Sequence, residues 1–315
     1  MKIKSTVIKC FKAFLHKNGF QIVKEEDMKM LTAHYWNVSI KKKNSKKIDK
    51  IDSIVFSKDR AMQLHAFLES YEKLVLNKGL MYILYKTSNE RHKKSYLELQ
   101  NIFNNQDYIF IEEIDFRHQL LEISENSNAK IIGSYVDDQI FLITVDYNKI
   151  LKLDMEEHVV ALSRGKDLDE HPGRHLVLPE FEKRADGFES FRWDYSESYS
   201  HWTYPVGVGA YFYCMDEWVV MLRSTMFKAP NSLEGNLQKF VPLFIKRKGI
   251  CLPQIACVCI PANLVQTEWV NGIVGTHTIE ELLDQWEKGY KIDLNEFYGK
   301  SGKFAMSQTY NFIKR

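Results

Sequence analysis

IDSIVFSKDRAMQLHAFLESYEKLVL, Ile51 to Leu76, is the stretch whose reading decides the fold. Ile51 to Phe56 is a short apolar run with a β-branched bias, and Ser57-Lys58-Asp59-Arg60 is a polar turn. From Ala61 onward Met62, Leu64, Phe67, Leu68, Tyr71 and Leu74 recur at helical spacing. That is a strand, a turn and a helix. The pattern then repeats. GLMYILYKTS (79–88), DYIFIEEI (107–114) and KIIGSYV (130–136) read as strands, separated by helical patterns over 91–105 and 117–127. The expected fold is α/β, a mixed, mostly parallel sheet with helices on both faces. Ligands of open sheets of this kind bind at the carboxyl ends of the strands. Asp59-Arg60 and the adjacent pair Asp137-Asp138 both fall there.

Composition sets the frame. With 315 residues, 45% of them hydrophobic and 27% charged, the chain is long enough to bury a core without staples. Its five cysteines are odd in number and lack matched CxxC pairs, which points away from a disulfide framework or a zinc site and toward a reduced, cytoplasmic setting. Cys257-x-Cys259 alternates within an apolar run and reads as packing. No run approaches the roughly 18 apolar residues of a membrane span, and lysines interrupt the start where a signal peptide needs an apolar stretch.

The net charge of +2 hides an asymmetry: residues 1–50 hold thirteen lysines against four acids, a net of +9, which leaves the remainder at −7. Ile3, Val7, Ile8, Phe11, Phe14 and Leu15 lie at helical spacing within residues 1–20, with lysines on the other side. This basic amphipathic helix fits two roles, a peripheral seat on an anionic membrane surface or packing on the body of the protein. IKKKNSKKIDK, Ile40 to Lys50, reads as an exposed connector. Few aromatics interleave these lysines and no arginine occurs before residue 51, so nucleic acid is not the expected partner. The expected organisation is a basic helical arm over 1–50 and one domain over 51–315, divided into halves over 51–145 and 146–315.

Asp137 and Asp138 return at once to Ile140, Phe141 and Leu142. Like charges beside an apolar run repel, and partial burial makes each costlier. A divalent cation such as Mn²⁺ or Mg²⁺, held between carboxylate and phosphate oxygens, would compensate. No glycine-rich phosphate loop follows any of the strands.

IVFSKDRAMQLHAFLES, followed about eighty residues later by SYVDDQIF, resembles the nucleotide-binding half of a GT-A glycosyltransferase, similar to bacterial family 2 enzymes. The resemblance covers Ile51 to Leu142 well and the rest loosely. It implies that the Ser57 turn, with Asp59 and Arg60, meets the nucleotide, that Asp137 lies on the sugar or ribose side, and that Asp138 binds Mn²⁺ or Mg²⁺. Gln139 stands where a strict DxD motif has its second Asp. The same likeness implies a carboxylate at a helix start as general base on the acceptor hydroxyl. Glu234 fills that place, with Asp194, Glu197 and Asp216 as rivals. It further implies a C-terminal histidine completing the metal shell, for which His277 stands ahead of His201 and His175.

Residue patterns supply plainer roles for some of these positions. Asn231 or Ser232 reads as a helix N-cap with Glu234 in the first turn, and Thr276 or Thr278 caps a helix containing Ile279, Leu282, Leu283 and Trp286. Phe191, Trp193, Tyr195, Tyr199, Trp202 and Tyr204 suit either a sugar platform or core. The expected function is metal-dependent transfer of a sugar from a nucleoside diphosphate sugar, a UDP-sugar first, to a glycan or lipid-linked acceptor in bacterial surface polysaccharide synthesis. The alternatives are a sugar nucleotidyltransferase and a non-catalytic glycan-binding protein.

Overall fold

A computed structural model of the chain describes residues 11, 14–15, 17–18, 22–44, 46–171, 174–193, 201–263, 277–300 and 311–315. The first half runs α1 (Glu25–Asn44), β1 (Ile48–Lys58), α2 (Ala61–Leu74), β2 (Val75–Leu76), β3 (Met81–Lys86), α3 (Glu90–Ile102), β4 (Tyr108–Glu112), α4 (Phe116–Asn126) and β5 (Ala129–Val136). There follow β6 (Gln139–Phe141), β7 (Val145–Asp146), α5 (Tyr147–Leu151), β8 (His158–Gly165), β9 (Glu170–His171), β10 (Arg174–His175), β11 (Phe181–Lys183), β12 (Glu189–Phe191) and β13 (Tyr211–Cys214). The chain continues as α6 (Met215–Arg223), α7 (Pro230–Leu237), α8 (Val241–Phe244), β14 (Lys248–Leu252), β15 (Cys257–Cys259), α9 (Ile279–Glu287), β16 (Tyr290–Ile292) and β17 (Phe312–Lys314).

Nine strands form one mixed sheet in the order β11-β12-β14-β8-β13-β5-β1-β3-β4. The expected parallel arrangement holds for β5, β1, β3 and β4, which are joined through helices. It fails across the other half. There β13 runs antiparallel to both β5 and β8, and β11 and β12 form a hairpin whose second strand is antiparallel to β14, while β14 and β8 are parallel. The sheet is mixed, as expected, but its described pairings are parallel and antiparallel in equal number rather than mostly parallel. Only five residues join β11 to β12, with Gly187 at φ 88°, and a link that short can join only antiparallel neighbours.

β1 is buried from Ile51 to Phe56 on both of its faces, which is why it lacks an alternating pattern. Phe56 stacks edge-on against Phe116 of α4 at 5.2 Å. Ser53, on the opposite face, reaches the Tyr71 hydroxyl of α2 (3.1 Å) and the Tyr147 hydroxyl of α5 (3.4 Å). Helices thus cover both sides of this part of the sheet.

The expected connector over Ile40 to Lys50 is largely regular structure: α1 continues to Asn44 and β1 begins at Ile48. Acids in the first turn (Glu25, Glu26, Asp27) and lysines in the last (Lys41, Lys42, Lys43) oppose the helix dipole, which favours continuation through the lysines. Leu31 and His34 pack inward, and His34 Nε2 meets Glu217 Oε1 of α6 at 3.4 Å. Glu217 is paired in turn with Arg247 at 2.6 Å. Most of residues 1–20 lies outside the described residues.

Two helix starts separate as well. Thr278 caps α9, accepting from Glu281 N at 3.1 Å while Glu281 Oε2 accepts from Thr278 N at 2.7 Å. Thr276 lies outside the described residues. α7 begins earlier than Asn231 or Ser232 would place it, with Ala229 at the cap position and Pro230 at N1, since proline's fixed φ suits the first helical residue.

Candidate active site at the carboxyl ends of β1 and β5

From β1 the chain moves outward to β3 and β4, then returns to the other side of β1 as β5. The strand order reverses between β1 and β5, and open sheets bind ligands in the crevice above such a reversal. The turn after β1 and the turn after β5 meet there. Asp137 N donates to Phe56 O at 3.2 Å and so extends the pairing by one residue.

Asp137 is 3% exposed and almost fully engaged. Its Oδ2 accepts from Ser57 Oγ at 2.8 Å and Lys58 N at 3.3 Å, and its Oδ1 accepts from Arg60 Nη1 at 3.0 Å. The same Nη1 lies 3.2 Å from Asp138 Oδ2. One guanidinium therefore serves both carboxylates. Burial pushes the Asp137 carboxyl up to about 6; Arg60 opposes that rise and Asp138 adds to it. Burial works against the Arg60 charge too, but the two aspartates outweigh it and hold the guanidinium protonated beyond its ordinary value.

Arg60 is itself clamped. Nε donates to Asn263 Oδ1 at 2.8 Å, Nη2 donates to the Asn263 carbonyl, and the backbone N–H donates to the Tyr96 hydroxyl at 3.2 Å. The Tyr96 hydroxyl also meets Ser57 Oγ at 2.5 Å. Asp59 adopts φ 54°, a left-handed conformation that Asp tolerates better than most residues, and turns its carboxylate away from the pair. Both of its oxygens accept from Ser88, one from N at 2.7 Å and one from Oγ at 2.5 Å.

Asp138 differs from its neighbour. Its side chain is 16% exposed, its Oδ2 shares Arg60, and among the described residues nothing bonds its Oδ1. Its unspent Oδ1 can give one ligand to a hard divalent ion whose other ligands are phosphate oxygens and water, although the Arg60 charge opposes a second cation. The residues present fit Mn²⁺ or Mg²⁺ held by Asp138 in that way. Among the described residues no group of three or more His, Cys, Asp and Glu is placed to hold a metal ion. Gln139 is turned inward: its Oε1 accepts from Val136 N at 3.2 Å, and a Cβ on Gly209 would sit 3.2 Å from its Nε2. It stands apart from Asp138.

Glu234, on α7, comes to the same end of the sheet. Its Oε1 accepts from Val208 N at 3.4 Å, and Val208 O accepts from Ser134 Oγ of β5 at 2.9 Å. Burial raises the Glu234 carboxyl, while the Val208 N–H, Arg164 and Tyr204 counter that rise. β15 runs beside this turn: Cys259 pairs with Gln139, and Ile260 N donates to Asp138 O at 2.6 Å. Gly207 is required here, since a Cβ would stand 2.6 Å from the Tyr211 ring and 3.0 Å from Glu234 Oε1.

The other expected residues have different fates. His277 N donates to Ala262 O at 3.2 Å, next to Asn263, and the imidazole lies edge-on to Phe312 at 5.5 Å. Asp194 and Glu197 lie outside the described residues, as do the side chains of His175 and His201. Asp216 begins α6 at the far end of β13; because β13 is antiparallel to β5, that is the amino end of β5, opposite Asp138. Of the aromatic cluster, Phe191, Trp193 and Trp202 are core, with Trp202 fully buried against Phe191 at 4.9 Å and Phe191 against Trp193 at 4.8 Å, whereas Tyr204 is only half-buried.

No family model matches the chain, and no curated protein does.

Asn263, Tyr96, Gln63 and Ser88 belong to the site and carried no sequence signal. Asn263 follows an apolar strand without any motif, and Tyr96 occupies an inward position of an ordinary amphipathic helix. Gln63 donates to Asn263 Oδ1 at 3.3 Å from the first turn of α2. Among the described residues, the buried Asn263 Nδ2 has no hydrogen-bond partner. An orphaned donor beside Arg60 marks a place for an acceptor atom of a ligand.

Proposed function

We propose that this chain is a GT-A-like glycosyltransferase that moves a sugar from a nucleoside diphosphate sugar, with a UDP-sugar as the first donor to test, to a hydroxyl of a glycan or lipid-linked acceptor. The observation that carries this reading is the meeting of Arg60, Asp137 and Asp138 at the strand-order reversal between β1 and β5, with Glu234 at the same edge. Ser57, Asp137 and Arg60 form the rigid floor under the donor. Asp59, fixed on Ser88, holds the turn that shapes the nucleotide side of the crevice.

Asp138 would hold Mn²⁺ or Mg²⁺, which when bound offsets charge on the diphosphate. Asn263 Nδ2, which bonds nothing among the described residues, supplies a donor beside Arg60. Glu234 accepts the acceptor's hydroxyl proton; the acceptor oxygen bonds to the anomeric carbon, and the bond from that carbon to the diphosphate breaks with its electron pair on the leaving oxygen. Burial raises the basicity of Glu234, which suits that work.

The test is release of nucleoside diphosphate from a panel of UDP-, GDP- and dTDP-sugars, with Mn²⁺ and with candidate glycan acceptors, by wild type and Glu234→Gln. Release of one nucleotide by wild type and not by the variant supports the reading. Equal, background release by both counts against it.

A further inference from the structure

Exposed large apolar side chains are concentrated at one end of this chain: among the described residues, eight of the fifteen fall within residues 11–48. The rigid part of that region is α1, whose two faces have opposite fates. Met30, Leu31, His34 and Val38 turn inward, and the contact of His34 with Glu217, itself held by Arg247, fixes the helix to the body. On the outward face Lys29, Thr32, Trp36, Ile40 and Lys43 follow one another at helical spacing. Trp36 is 72% exposed, Ile40 46% and Met28 49%. A large indole pointing straight into water from the middle of a fixed helix marks an interaction surface.

Charge says what covers it. Residues 1–50 contain thirteen lysines, no arginine and four acids, whereas the rest of the chain is net negative. Lysines around an outward tryptophan are complementary to anionic headgroups, where an indole ring sits at the level of the interface. No helix among the described residues is long and apolar enough to cross a bilayer, so the contact is one in the plane of the surface. We infer that the outward face of α1, with Trp36 at its centre, Lys43 toward its carboxyl end and Lys29, which Glu25 partly offsets at 2.8 Å, toward its amino end, seats the protein on an anionic lipid bilayer. The inference is independent of the sugar-transfer reading.

Sedimentation of the full chain with vesicles of phosphatidylcholine alone, and of phosphatidylcholine mixed with phosphatidylglycerol, tests it. Binding is expected only to the mixed vesicles, and raising salt well above about 0.1 M should release it, because exposed charges are then screened. Trp36→Ala should lower the partition coefficient about tenfold, the effect of losing roughly half the burial of a large side chain, with the melting temperature unchanged. Trp36→Phe should retain most of the binding, and Lys29→Gln with Lys43→Gln and Lys46→Gln should weaken it and flatten its salt dependence. Failure to bind anionic vesicles at low salt would overturn the inference. So would equal binding by wild type and Trp36→Ala, or a dimer in solution that Trp36→Ala dissociates while vesicles remain unbound.

Discussion

Arg60 Nη1 lies 3.0 Å from Asp137 Oδ1 and 3.2 Å from Asp138 Oδ2, so a single buried cation compensates both acids that end β5. The three side chains are an electrostatic unit, and removing the cation should expose what the acids can do alone. Breaking a buried pair leaves an uncompensated charge and costs about 3–5 kcal/mol. Arg60→Ala should therefore lower stability in urea by that order. Mn²⁺ should then restore about 2–3 kcal/mol at roughly a hundred times its Kd, by binding the freed carboxylates. Urea titrations of the variant with and without Mn²⁺ decide this; indifference to the ion would show that the acids do not form a cation site.

Asp137 gives the site a pH dependence of known sign. Its folded value is raised by burial to about 6, above the 3.8 of an unperturbed carboxyl, so between those values the folded protein binds more protons than the unfolded one. Stability from this group is complete below about pH 4 and declines as pH rises through about 6. Asp137→Asn should abolish that decline, a difference on the order of 1–3 kcal/mol across the window. Cation binding runs the other way, since it needs the ionised acids: Mn²⁺-dependent nucleotide binding should weaken as pH falls through about 6. Urea midpoints and calorimetric titrations between pH 4 and 8 check both signs.

Glu234 separates binding from chemistry. It touches Val208 N rather than the Arg60 group, so Glu234→Gln should leave nucleotide affinity within about twofold while transfer falls by about 10²–10⁴, the range for loss of a general base. Calorimetry gives the first quantity and product formation the second. A parallel loss of both would reassign Glu234 to the architecture of the pocket.

Gly165 ties the fold to the site. A Cβ there would lie 2.0 Å from Ile255 N and 2.4 Å from Ile255 Cα, backbone atoms that lead into β15 and on to Asn263. Gly165→Ala should cost about 1–3 kcal/mol, the usual range for overpacking, and should loosen the grip of Asn263 on Arg60. A lower urea midpoint together with weaker nucleotide binding is the expected result.

The half of the sheet built from β1, β3, β4 and β5 was legible because each strand is a continuous apolar run followed by a helix of regular period. β9, β10, β11 and β12 were not legible: they are two or three residues long, too short to show a period, and only pairing in the folded sheet defines them. Asp137 and Asp138 stood out as acids at the end of an apolar run, and Arg60 lay in the turn already singled out. That the arginine compensates the pair was not legible, since the contact joins residues 77 and 78 positions apart in the chain. Asn263, 203 positions from Arg60, reaches it only because β15 pairs with β6 directly after the aspartates. The antiparallel setting of β13, which carries Asp216 away from the site, follows from topology that no local pattern encodes.

The most direct test of the central claim is a thermal-shift series of wild type and Asp138→Asn with UDP, GDP, CMP and dTDP, each with and without Mn²⁺. Asp138 is partly exposed and shares its cation with Asp137, so the variant should fold. A rise in melting temperature with one nucleotide, dependent on Mn²⁺ in wild type and absent from Asp138→Asn, is the predicted result. No shift with any nucleotide, or the same shift in both proteins, would contradict a nucleotide-sugar site at the ends of β1 and β5.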